Sequence, residues 1–94
     1  AGPRPNTIVV ADSGNNRVRL IDLAAGTVST IAGNGQTFDN GDGALATSAS
    51  VYHPRGVAYD SVGNLYISTE SGYIRKVDSQ GVITTFAGAS IAQG

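Results

Sequence analysis

The chain contains one unit written twice. Residues 7–33, TIVVADSGNNRVRLIDLAAGTVSTIAG, correspond to residues 65–88, LYISTESGYIRKVDSQGVITTFAG. Asp12 aligns with Glu70, Arg19 with Arg75 and Gly33 with Gly88, at separations of 58, 56 and 55 residues. The differences in length fall at SGNN against SG and at DLAAG against DSQG. Insertions confined to turns are what a repeated hairpin unit tolerates. A unit of this size cannot bury its own apolar surface and must be covered by its neighbours.

Each copy parses into short strands. Val, Ile and Thr are abundant, and 13 Gly in 94 residues punctuate them, the pattern of strands joined by tight turns. The second copy predicts strands over residues 56–59, 65–69, 73–77 and 82–87. Gly63, Gly72 and Gly81 fall in its turns, where a positive φ is needed. Four antiparallel strands per repeat make one propeller blade. The first copy supplies only three strands, over residues 7–11, 17–21 and 27–32. Its innermost strand is missing, and the proline-rich residues 1–5 are too short to replace it. Helix evidence is confined to one turn within residues 44–50. Tyr52, Tyr59, Tyr66 and Tyr73 are spaced by seven, but Pro54, Gly56, Gly63 and Gly72 exclude a continuous helix there.

The segments VVADSGNNRVRLID, STIAGNG, GDGALATSAS, PRGVAYDSVGNLYIS and IRKVD..GVITTFAG resemble NHL repeats. The resemblance covers nearly the whole chain and implies a β-propeller, usually six-bladed. It also implies that GNGQTFDNGDGALATSAS connects one blade to the next. The expected fold is therefore all-β: NHL-type blades of four antiparallel strands in a partial propeller of about two blades. Residues 1–33 form an incomplete first blade, 34–55 the connection, 56–88 the second blade and 89–94 the start of a further connection.

Composition narrows the function. A hydrophobic content of 40% with a net charge of −1 excludes a charged disordered tail. Arg4, Arg17, Arg19, Arg55, Arg75 and Lys76 are scattered, without the clustered basic footprint of a nucleic-acid binder. No apolar run is long enough to cross a bilayer as a helix. The absence of Cys removes disulfides and thiolate metal sites. It also fits an extracellular or periplasmic chain, as does a start at Ala1 without Met, although a fragment would look the same.

No residue pattern carries catalysis. His53 is the only histidine, and a metal-dependent lyase needs several histidine ligands around one ion; packing at the strand entry before Pro54 is the expected role. Asp39, Asn40, Gly41, Asp42 and Gly43 lack the alternating oxygen ligands and distal carboxylate of a calcium loop, and read as a turn. No strained G-x-S-x-G elbow is present. Arg17, Arg19 and Arg75 alternate with apolar residues and are expected to pair with Asp12, Asp22, Asp78 or Glu70 on the surface or between blades. The expectation is a non-enzyme with no cofactor and no metal.

Two functions from different classes fit. The blades associate with like chains into a ring of six or eight blades or an open filament. Alternatively the chain is part of a larger extracellular or periplasmic propeller that binds a protein or small-molecule ligand on its loop face. That face would carry Asp12, Asn15, Asn16, Arg17, His53, Arg55, Glu70 and Tyr73.

Overall fold

A computed structural model describes residues 5–36 and 41–87. Seven strands follow one another: β1 (Thr7–Asp12), β2 (Arg17–Asp22), β3 (Thr27–Ala32), β4 (Pro54–Tyr59), β5 (Leu65–Thr69), β6 (Ile74–Val77) and β7 (Ile83–Ala87). They form two antiparallel sheets in chain order, β1-β2-β3 and β4-β5-β6-β7. The all-β class and the strand positions match the sequence reading, with bounds moved by one or two residues. Among the described residues the only helical element is a single 3-10 turn at Ser13–Asn15. Within the expected helical stretch, Ala49 N–H donates to Leu45 O at 3.2 Å and makes one isolated turn.

The turns are built by aspartates. Asp60 Oδ1 accepts from the N–H groups of Val62 and Asn64 at 3.0 and 2.8 Å. Asp78 Oδ1 does the same for Gln80 and Val82 at 2.9 and 3.0 Å, and Asp22 Oδ1 accepts from Ala25 N–H at 3.0 Å. Each side chain thereby mimics a backbone acceptor and closes the loop between two strands. Gly63, Gly72 and Gly81 hold φ values of 93°, 91° and 84°, as their places in the turns require.

The two sheets share one irregularity. Register shifts lie between Val18 and Arg19 in one sheet and between Ile74 and Arg75 in the other, so Arg19 and Arg75 are true counterparts. Val10 stands opposite Arg19 and Ile67 opposite Arg75, which makes Val10 the counterpart of Ile67. Aligning Asp12 with Glu70 would instead set Val10 beside Ser68. The structure corrects that alignment by one residue within the strand, and in a sheet a one-residue slip exchanges the two faces.

The core joins one face of each sheet through the connecting segment. Val18 and Ala32 from the first sheet pack with Leu65, Ile67, Val77 and Ile83 from the second, and Ala46, Ala49 and Val51 complete the cluster. Ala46 bonds to both sides, its C=O accepting from Gly33 N–H at 2.9 Å and its N–H donating to Gly81 O at 2.7 Å. Counterpart residues have opposite burial. Val18 is fully buried while Ile74 is 38% exposed, and Ile83 is fully buried while Val28 is 64% exposed. Both faces of each sheet are apolar, and one face of each is covered.

Gly33 tests the packing between the sheets. It has φ 94°, and a Cβ there would lie 2.5 Å from Asn16 O and 2.8 Å from Val51 Cγ2. Gly63 has a similar φ with nothing within 4 Å. Gly63→Ala should cost about 1–3 kcal/mol from backbone strain alone, and Gly33→Ala distinctly more. Urea unfolding of the two variants reads the difference, and equal losses would remove the close approach.

Candidate interaction face

The β1–β2 turn is locked onto the entry of β4. Asn16 adopts a left-handed conformation, φ 54° and ψ 47°, which asparagine tolerates better than most residues. Its buried side chain accepts from His53 N–H through Oδ1 at 2.8 Å. Beside it, Ser13 Oγ donates to Pro54 O at 2.5 Å. Asp12 Oδ2 accepts from Asn15 Nδ2 at 3.0 Å and from Arg19 Nε at 3.1 Å. Arg17 donates to the carbonyls of Asn15 and Asn34, each at 3.2 Å.

A second cluster begins one residue away. His53 also has a positive φ, 43°, and its ring stacks on Tyr52 with centroids 4.5 Å apart. Its Nδ1 meets Glu70 Oε1 at 3.0 Å, and Arg55 Nη2 reaches the same oxygen at 3.3 Å. The Glu70 N–H donates to the carbonyls of Tyr52 and His53, both at 3.2 Å. Tyr73 is 36% exposed and closes the β5–β6 turn by accepting from Thr69 N–H at 2.9 Å.

The β1–β2 turn, the end of the connection and the β5–β6 turn therefore form one continuous surface. Asp12, Asn15, Asn16, Arg17, His53, Arg55 and Glu70 are linked on it by hydrogen bonds, while Tyr73 adjoins through backbone alone. A cleft of about 410 Å³ lined by Ile31, Tyr59, Leu65, Val77 and Asp78 uses none of these residues.

His53 sits at the strand entry with its backbone fixed by Asn16 and its ring stacked on Tyr52, while its side chain is 38% exposed. Two expectations change. Of the three strand arginines, Arg19 pairs with one of the expected carboxylates, Asp12, whereas Arg17 holds carbonyls. Arg75 is 1% exposed, donating through Nη1 to Ser50 O and through Nη2 to Asp42 Oδ1, both at 3.0 Å. Arg19 and Arg75 are counterparts in their sheets, and they differ because the connection covers the face that carries Arg75. Asp42 thus has a partner in the fold; Asp39 and Asn40 of the same run lie outside the described residues.

Three carboxylates are held below their ordinary range. Asp12 is lowered first by the Asn15 amide and then by Arg19, Glu70 by the His53 contact and then Arg55, and Asp60 by Asn64. A carboxyl lowered by folding contributes stability that is complete above its unfolded value and is lost as pH falls through its folded value. The melting temperature should therefore fall on acidification from about pH 5 towards 3, and Glu70→Gln should flatten part of that slope. A slope unchanged by Glu70→Gln would contradict the assignment. Asn16→Gly keeps the φ but removes the acceptor for His53 N–H, and should destabilise by about 1–3 kcal/mol in denaturant melts. A change of a few tenths would show that this contact holds nothing.

Residues 23–93 match the family described as the Teneurin NHL domain. Human Teneurin-4 is 32% identical over 101 residues, chicken Teneurin-1 34% over 100, and Caenorhabditis elegans Teneurin-1 37% over 81. The first two alignments cover 94% of this chain and 4% of the relative, the third 85% and 3%. The chain thus spans only a small part of the relatives that it matches. Teneurins are extracellular-region proteins, in agreement with the expected extracellular placement. The NHL resemblance in the sequence and the all-β sheets converge with this match: the chain belongs to the Teneurin NHL domain family.

Proposed function

We propose that the chain is a two-blade segment of a larger extracellular NHL propeller and acts as a non-enzymatic interaction module. In this reading residues 1–33 are an incomplete blade, 34–55 the connection and 56–88 a complete blade; the further connection expected over 89–94 lies outside the described residues. The opposite burial of counterpart residues carries it. Ile74 is exposed where Val18 is buried, and Val28 where Ile83 is buried, the difference expected when only one of several equivalent contacts is present. The face bearing Asp12, Asn15, Asn16, Arg17, His53, Arg55, Glu70 and Tyr73 serves a protein or small-molecule partner. Asn15, Arg55, Glu70 and Tyr73 are its exposed members.

The same observation supports a second reading, in which like chains join. The outward face of the first sheet is the counterpart of the second sheet's buried face. Head-to-tail contact between copies would repeat the packing already present, closing a ring of six or eight blades or extending a filament. Light scattering with thermal melting of the isolated chain tests both. The segment reading expects a folded but weakly stable chain of monomer mass. The self-assembly reading expects discrete masses of three or four chains or, for a filament, masses that grow with concentration. A cooperative, folded species of monomer mass at micromolar concentration would contradict self-assembly, and discrete masses of three or four chains would contradict the segment reading.

A further inference from the structure

The connecting segment docks on the second sheet in a defined way. Gly43 N–H donates to Ile83 O at 2.7 Å, Ile83 N–H to Ala44 O at 3.0 Å, and Ala46 N–H to Gly81 O at 2.7 Å. Asp42 and the carbonyl of Ser50 meet the buried Arg75. The small residues Ala46 and Ala49 let the segment lie close to the sheet.

Every part of that receiving surface has a counterpart on the first sheet. Arg75 corresponds to Arg19, and Ile67 to Val10. Val77 stands opposite Ile83 as Ile21 stands opposite Val28, so Ile83 corresponds to Val28. Gly81 and Gly26 both precede the outer strand with positive φ, 84° and 69°. The first sheet ends on β3, and its Val28 is exposed. Arg19 uses Nε for Asp12 and Nη1 for Thr30 Oγ1 at 2.7 Å. Among the described contacts its Nη2, the atom with which Arg75 holds Asp42, is unused.

Resting on the propeller reading, we infer that this outward face receives a second segment of the same chemistry as residues 41–51. That segment is rich in Gly and Ala, lies along the edge of β3 and presents an aspartate to Arg19. An all-apolar occupant would take water from the guanidinium without replacing its hydrogen bonds, which is costly. A short acidic segment satisfies both the strand edge and the charge.

The test is a titration of the ¹⁵N-labelled chain with the synthetic peptide GDGALATSASV, followed by NMR. Saturable shifts are expected at Val28, at Gly26 and at the Arg19 Nε–H group. Binding should weaken about tenfold, near 1.4 kcal/mol, when the peptide carries the change corresponding to Asp42→Asn. An Arg19→Lys chain should be weakened as well but remain folded, because this side chain is partly exposed. No saturable shift at millimolar peptide would overturn the inference. So would equal binding of the asparagine peptide, or shifts confined to Arg75 and Ile83, which mark displacement of the chain's own connection. A chain that self-associates in light scattering yet ignores the peptide defeats this inference alone and leaves the propeller reading standing.

Discussion

A sheet that is apolar on both faces can be covered only by neighbours on both sides, and this constraint organises the molecule. The first sheet carries Val9, Val18 and Leu20 on one face and Ile8, Val10, Ile21 and Val28 on the other. The second carries Leu65, Ile67, Val77 and Ile83 on one face and Ala58, Tyr66 and Ile74 on the other. The two inward faces form the core. The outward face of the second sheet keeps a shallow apolar depression of about 300 Å³, bounded by Gly56, Ala58, Tyr66, Ser68 and Ile74, beside the edge-to-face pair of Tyr66 and Phe86. Contiguous apolar surface of this kind usually marks an interface.

The connection between the sheets is a structural layer in its own right. Ala46 hydrogen-bonds to both sheets, and Ala46, Ala49 and Val51 enter the core. Arg75 anchors it from below, buried and holding the Ser50 carbonyl and Asp42 through Nη1 and Nη2. A buried guanidinium is tolerated only with partners in good geometry, so the acidic residue in GDG has a packing reason that calcium binding would not supply. At the opposite end of the connection, Asn16 and His53 both take positive φ values to let the chain enter β4. The candidate interaction face is thus held by the elements that hold the sheets together.

Most of the strand pattern was legible in the sequence because its causes are local. The Asp-to-Gly turns at 60–63 and 78–81 announce themselves by residue type, and the strands between them follow from β-branched runs. Register was less legible. Matching the turn residues Asp12 and Glu70 slipped β1 against β5 by one position, since turns of unequal length hide where the strand pairing resumes. Why Arg75 is buried while Arg19 is partly exposed was hidden as well, because their strands are equivalent and only the packing of the connection distinguishes them. The loop face was readable as a set of neighbouring turns, but the contact from Asn16 to His53 spans 37 residues and no local pattern encodes it. The orientation of the His53 ring is likewise not local: an X-Pro position indicates a strand entry, not which way its side chain turns.

The central claim is that the outward faces are repeat interfaces, and thiol labelling tests it most directly, because the chain has no cysteine of its own. Single Val18→Cys and Ile74→Cys variants place one reporter at each of two counterpart positions. In dilute solution Ile74→Cys should react quickly with a maleimide and Val18→Cys slowly. When association or flanking repeats cover the second sheet, Ile74→Cys should become as protected as Val18→Cys. A thiol at position 74 that stays fully reactive in the assembled protein would contradict the account.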